Sequence, residues 1–249
     1  MNTGKKVRLG RLLGSDNRVF LVAVDHPTFG QVTGLEKLAD LSSLLIKGGV
    51  DGFIANPGAI DKVLSGFPGT NFVMTIPYRE DYVEFAARMG AVGIKTSYFG
   101  SPVIDEQTMY SISGIAYAAE KWGIPYFLEV EVTDKSGKII YDTDSLKLLC
   151  RTGSELGADV IKASYIGPVE KYREVVEACN APIVIRGGER MGNESDFFST
   201  VHDAMASGAS GAAIGRNVWQ SRNPQLTAAA IWKIIHNGIS VEEALSLLK

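Results

Sequence analysis

DSLKLLCRTGSELGADVIKASYIGPVEKYREVVEACNAPIVIRGG, residues 144–188, carries two copies of one unit. An amphipathic helix-like stretch, Asp144–Glu155, runs into Gly157, and a short apolar run, Val160–Lys162, follows. A second helix-like stretch, Val169–Ala178, leads to the next apolar run, Ile183–Arg186. Moving outward, the same unit recurs. Strand-like runs fall at Val19–Val24, Gly52–Ala55, Phe72–Ile76, Val92–Lys95, Tyr126–Glu131 and Ala212–Ile214, which brings the total to eight. Leu35–Lys47, Tyr82–Arg88, Gln107–Lys121 and Glu194–Ala206 have helical spacing between them. Glycines such as those in Lys47-Gly48-Gly49 and Lys121-Trp122-Gly123 follow the helices, supplying a left-handed cap at no steric cost. Alternation of strand and helix implies right-handed crossovers and a parallel sheet. Eight units predict closure into a single α/β domain, a (β/α)8 TIM barrel, with an open doubly wound sheet as the minority alternative.

The chain's 249 residues suit one such barrel. No linker divides it, so residues 1–249 are expected to form one domain, with 1–17 as an N-terminal extension and 225–249 as terminal helices. A net charge of −3 without a basic run disfavours nucleic-acid binding. There is no apolar stretch long enough for a membrane span and no signal-peptide pattern, so a cytoplasmic location is expected. Cys150 and Cys179 have no metal-type spacing and are expected to be idle thiols. The only histidines are His26, His202 and His236, too few and too scattered for a zinc site, and no dinucleotide fingerprint follows the first strand. No metal and no cofactor is expected.

Barrel chemistry gathers at the carboxyl ends of the strands. There the sequence places Asp25-His26, Lys95, Glu129 and Glu131, Lys162, Arg186-Gly187-Gly188 and Gly215-Arg216-Asn217. Charges are rare in apolar runs because an unpaired buried charge is costly. An amine such as Lys162, enclosed by barrel side chains and near another cation, loses its proton more easily and can attack a ketone or aldehyde. The bland alternative is a strand-end lysine paired to a carboxylate. Lys95 is the competitor: it tunes Lys162, holds a substrate oxygen, forms the Schiff base itself, or simply pairs with a fifth-strand glutamate. Glu129 and Glu131 share parity with Phe127, so all three lie on one strand face. One carboxylate is expected to move protons and the other to be structural, with Glu129 the first choice for the proton and Glu131 also a candidate substrate ligand. Asp25 accepts a substrate hydroxyl or orients the lysine, or else caps a turn; His26 is a further candidate ligand. Gly187, Gly188, Gly215 and the arginines Arg186 and Arg216 follow strands seven and eight, where many barrels hold phosphate.

With these residues in place, Val24-Asp25-His26, Ala158-Asp159-Val160-Ile161-Lys162 and Ile214-Gly215-Arg216-Asn217-Val218-Trp219-Gln220 resemble motifs of the class I aldolase family that contains archaeal-type fructose-bisphosphate aldolase. The resemblance runs from about Val19 to Trp219. It implies a Schiff base on Lys162, assistance from Asp25, and phosphate bound by the last two loops. On the fifth strand, archaeal-type enzymes carry Trp-Ser-Tyr-Pro, whereas this chain has Phe127-Leu128-Glu129-Val130-Glu131. That segment is more similar to tagatose-bisphosphate and sulfofructose-phosphate aldolases, whose site glutamate and fourth-strand lysine correspond to Glu129 and Lys95. The expectation is a metal-independent aldolase that makes or breaks a C–C bond of a phosphorylated ketose or aldehyde, working as a homo-oligomer. Transaldol transfer, thiolysis or isomerisation in the same barrel, or sugar-phosphate binding without catalysis, are the alternatives.

Overall fold

The computed structural model describes residues 2–30 and 32–249. Eight parallel strands close in sequence order, each hydrogen-bonded to its neighbour and the last to the first. They are β1 (Val19–Ala23), β2 (Gly52–Ala55), β3 (Asn71–Thr75) and β4 (Gly93–Gly100), then β5 (Tyr126–Val132), β6 (Val160–Ser164), β7 (Ile183–Arg186) and β8 (Gly211–Ile214). The helices before β5 are α1 (Thr3–Leu13), α2 (Leu38–Lys47), α3 (Pro57–Lys62), α4 (Asp81–Arg88) and α5 (Glu106–Trp122). After β5 come α6 (Thr143–Glu155), α7 (Val169–Ala178), α8 (Glu194–Ala206), α9 (Arg216–Trp219), α10 (Pro224–Asn237) and α11 (Val241–Ser246). The chain is therefore a (β/α)8 barrel, and the doubly wound alternative falls because β1 pairs β8.

Strand residues alternate between two apolar environments. Val19, Leu21, Ile54, Val73, Phe127, Val160 and Val184 fill the barrel interior, while Phe20, Phe53, Ile94, Leu128 and Ile161 join the layer between strands and helices. Burying each such side chain contributes roughly 1.5–3 kcal/mol. The N-terminal segment does more than extend the chain. In α1, capped by Asn2, Leu9 and Leu12 join the interior cluster and close the amino end of the barrel. Buried Lys5 pairs with Asp159 at 2.8 Å, just ahead of β6. With that end plugged, access to the interior is left to the carboxyl end.

One strand departs from expectation in a way that shapes the site. β4 continues past Lys95 to Gly100, held by register pairs Tyr98↔Val130 and Phe99↔Glu131 with β5, itself seven residues long. The two strands rise above the rest of the barrel as a raised wall. Among the described residues, no helix is long and apolar enough to cross a membrane.

Candidate active site

Strand register alone assembles the charged centre. Glu129 of β5 stands directly opposite Lys162 of β6, Ser97 of β4 stands opposite Glu129, and Thr75 of β3 stands opposite Lys95. Lys162 Nζ lies 2.8 Å from Glu129 Oε1. Lys95 Nζ lies 2.9 Å from Glu129 Oε2 and 2.7 Å from Asp25 Oδ2. Two hydroxyls complete the carboxylates' shells: Thr75 donates to Asp25 Oδ2 at 2.7 Å and Ser97 to Glu129 Oε2 at 3.1 Å. All four charged residues are buried, and their two positive and two negative charges cancel. Mutual pairing is what makes such burial tolerable.

The two lysines are not equivalent. Burial opposes the charged form of both. At Lys95, Glu129 and Asp25 together outweigh it, and the ammonium form is held well above the ordinary lysine range. At Lys162, burial prevails over attraction to Glu129, with repulsion from Lys95 assisting, and the pKa falls below the ordinary value. Glu129 is driven the other way. Its burial would raise the pKa, but Lys162, Lys95 and Arg186 overcome that and keep it ionised. Asp25 is likewise lowered, burial being outweighed by Lys95 and Lys162.

Above this centre lies a cavity of about 250 Å³. Lys162, Glu129 and Arg186 reach it from the strands and Asp25 from just beyond β1, while Gly187, Gly188, Gly215 and Arg216 line it from the segments after β7 and β8. Lys95, fully buried, is not part of the lining. Glu131 is not either: it accepts hydrogen bonds from Ser164 N (2.9 Å) and Ser164 Oγ (2.7 Å) and sits 3.3 Å from Arg186 Nη1. Expected as a substrate ligand, Glu131 lies beneath the arginine, its pKa raised by burial against the opposing pull of Arg186 and Ser164. The structure thus separates Glu129, which faces the cavity, from Glu131, which does not.

The loops are shaped for close approach. A Cβ on Gly215 would fall 2.4 Å from His26 Cε1, and Gly188 has φ +63°, so both positions call for glycine. Among the described residues, the amides of Gly187, Gly188 and Gly215 donate no backbone hydrogen bond, which leaves them available to a ligand. Arg216 donates to Gly188 O at 3.0 Å. His26 lines the cavity edge-on to Trp219, and burial chiefly, aided by Lys162 and Arg216 against Asp25, lowers its pKa to about 4. It is a neutral imidazole at pH 7.

Sequence reading missed four contributors. Thr75 and Ser97 carry no charge to flag them. Phe99, on the raised part of β4, lines the cavity and lies under the Arg186 guanidinium at 5.4 Å. Asn217 stands out in sequence only as part of its motif, with no role of its own. In the structure its amide donates to Gly187 O (2.8 Å) and Glu189 O (2.9 Å), and its Oδ1 accepts from Met191 N (2.7 Å). It knits the loop after β7 to α9. Among the described residues, no group of three or more His, Cys, Asp or Glu side chains is arranged to hold a metal ion.

A family model for DeoC/LacD family aldolases matches residues 20–221. An uncharacterized aldolase of Saccharolobus solfataricus is 29% identical, with 99% of both chains covered. The 2-amino-3,7-dideoxy-D-threo-hept-6-ulosonate synthase of Halobacterium salinarum is 28% identical over 98% of this chain and 96% of its own. Among solved structures, an archaeal fructose 1,6-bisphosphate aldolase superposes with a TM-score of 0.82 at 21% identity, covering 94% of this chain and 100% of that one. That likeness concerns the fold.

Proposed function

The chain belongs to the DeoC/LacD family of aldolases, and on that premise we propose that it makes or breaks a carbon–carbon bond of a phosphorylated ketose through a Schiff base on Lys162. One observation carries the reading: of two neighbouring buried lysines, the one that faces the cavity is the one at which burial outweighs the neighbouring carboxylates and lowers the pKa.

In the cleavage direction, Glu129 takes a proton from Lys162, and the neutral amine attacks the ketose C2 carbonyl. Glu129, still 2.8 Å from that nitrogen in the free enzyme, returns the proton to the carbinolamine hydroxyl, which leaves as water. The iminium then draws in the electrons of the C3–C4 bond while a carboxylate accepts the C4 hydroxyl proton; Asp25, at the opposite side of the centre, suits that step. The resulting enamine is protonated and hydrolysed to release dihydroxyacetone phosphate or a close analogue. Lys95 stays charged, fixes both carboxylates and repels the ammonium form of Lys162. Free amides at Gly187, Gly188 and Gly215 with the Arg216 guanidinium favour a phosphate. Phosphorylated substrates also fit the names of relatives, among them the 2-amino-4,5-dihydroxy-6-oxo-7-(phosphonooxy)heptanoate synthase of Streptomyces griseus.

Those synthase names favour a second reading, in which the enamine is captured by a different aldehyde and the net reaction is transfer. A panel of ketose phosphates, assayed for aldehyde release with and without added acceptor aldehyde, separates the two. Aldehyde release without acceptor supports cleavage; a product formed only with acceptor supports transfer. Ligand-induced thermal stabilisation with neither product would overturn both.

A further inference from the structure

The outward face of α5 is built symmetrically about its midpoint. At 3.6 residues per turn, Glu106, Tyr110, Ser113, Gly114, Tyr117 and Lys121 fall within about 50° of one line along the helix. Glu106 with Lys121, Tyr110 with Tyr117, and Ser113 with Gly114 are each centred on the same point, midway between Ser113 and Gly114. The opposite face is used by the fold: Ile112, Ile115, Ala116, Ala118 and Ala119 are buried in the layer over the strands. Both ends are fixed. Asp105 caps the first turn, and Arg8 of α1 donates to Gly123 O at 2.7 Å just beyond the last.

Within the chain this face has little cover. Tyr117 is 73% and Tyr110 67% exposed, an unusual state for two rings on one helix face. Glu106 and Lys121 are exposed, and among the described residues neither has an ion-pair partner; Glu106 accepts the Tyr110 hydroxyl at 3.2 Å. Between the rings, Ser113 and Gly114 leave the backbone open to close approach. The Glu80 carboxylate lies beside Gly114, where a Cβ would fall 2.8 Å from its Oε1. It forms one side of a groove of about 420 Å³ that Tyr110 and Tyr78 also line.

We propose that this face pairs with the same face of a second copy of the chain, the two α5 helices running antiparallel about a twofold axis at Ser113 and Gly114. In such a contact residue i meets residue j and j meets i. Glu106 meets Lys121 of the partner subunit at both ends, about 11 Å from the axis. Tyr110 meets Tyr117 of the partner subunit, whose ring enters the groove beside Gly114. Charge selects the direction, because a parallel pair would set Glu106 against Glu106 and Lys121 against Lys121. A face about 25 Å long and about 10 Å wide is small beside the roughly 800 Å² per partner of a standard interface, so association through it depends on concentration.

Sedimentation equilibrium at low salt, over a concentration series, tests this on the wild type, Glu106→Lys, Lys121→Glu, an equimolar mixture of those two, and the double variant Tyr110→Ser/Tyr117→Ser. The wild type is expected to associate from its 26.8 kDa monomer. Each charge reversal sets like charges together at both ends, and Kd should rise on the order of 10-fold or more, with a smaller rise at high salt. In the mixture, a pair with one copy of each variant again has opposite charges at both ends, and association should return near the wild-type value. Loss of both rings should weaken association at every salt concentration. A helix merely weakened by substitution at its end would leave the mixture as weak as its components, so rescue separates pairing from a folding defect. A wild type that stays monomeric at the highest concentration, which would assign the face to a different protein, overturns the proposal. So do reversals that associate as the wild type does, a mixture without rescue, or a ring-less variant of unchanged Kd.

Discussion

Replacing Lys95 by Met takes one cation from between two buried carboxylates, whereas replacing Lys162 by Met takes one from beside a carboxylate that keeps another partner. Lys95 Nζ lies 2.7 Å from Asp25 and 2.9 Å from Glu129, with all three residues at most 4% exposed. Stranding buried charges in this way costs ~3–5 kcal/mol. At about 2–4 °C per kcal/mol for a chain of this size, the melting temperature should fall by roughly 6–20 °C. Lys162→Met leaves Glu129 bonded to Lys95 and Ser97, and it removes an ammonium whose charged form burial already disfavours. Its stability should stay within ~1.5 kcal/mol of wild type, as is common when a functional group kept at a cost to stability is removed. Thermal unfolding near neutral pH is the assay, repeated on the acid side. Asp25 and Glu129 have depressed pKa values, so the stability they contribute is present above their unfolded values and lost as pH falls. The deficit of Lys95→Met should therefore narrow toward about pH 4, where the stranded carboxylates can take up protons. A reversed ranking, with Lys162→Met the less stable, would refute the division of labour between the two lysines.

Glu129→Gln should lower kcat by ~10²–10⁴-fold, measured at saturating substrate, because proton transfer to and from the carbinolamine is lost; kcat within a factor of about two of wild type would exclude that role. Gly215→Ala pushes a methyl to within 2.4 Å of the His26 ring, and KM for a phosphorylated substrate should rise by about 10-fold as the amide and ring are displaced. Asn217→Ala removes three hydrogen bonds to the loop after β7; unfolding in urea should show a loss of ~2–3 kcal/mol. At the opposite end of the barrel, His236 bridges Asp16 and Asp51 at 2.6 and 3.0 Å, and those bonds outweigh burial to raise its pKa. Its stabilisation is therefore full below about pH 6.5 and fades as pH rises through the higher folded value. The stability gap between wild type and His236→Gln should shrink from about pH 6 to about pH 9; a gap that widens would contradict the sign.

Most of the barrel was legible because its pattern is local. Gly52–Ala55, Ile183–Arg186, Val169–Ala178 and Glu194–Ala206 occur with the bounds read from sequence, since each is an apolar run or helical stripe closed by a turn residue. β4 was cut short at Lys95 because Thr96-Ser97 breaks the apolar run; pairing with β5, a non-local partner, carries the strand on. That truncation hid Phe99 and Ser97. The charged residues stood out because charge in an apolar strand is conspicuous, but spacing alone did not divide their roles. Glu129 and Glu131 have the same parity, and only height along β5 sends one toward Lys162 and the other under Arg186. The packing of α1 was equally hidden: Leu9 and Leu12 are ordinary helix residues until the open end of a closed barrel lies over them.

Everything proposed for catalysis depends on a reducible imine at one lysine. The direct measurement is borohydride reduction in the presence of a ketose phosphate, followed by peptide mass mapping across a pH series. The expected result is a substrate-sized mass on the peptide holding Lys162, with trapping that persists at pH values below those of a solvated lysine, in keeping with its lowered pKa. An adduct on Lys95, or none with any ketose phosphate that the enzyme turns over, would contradict it.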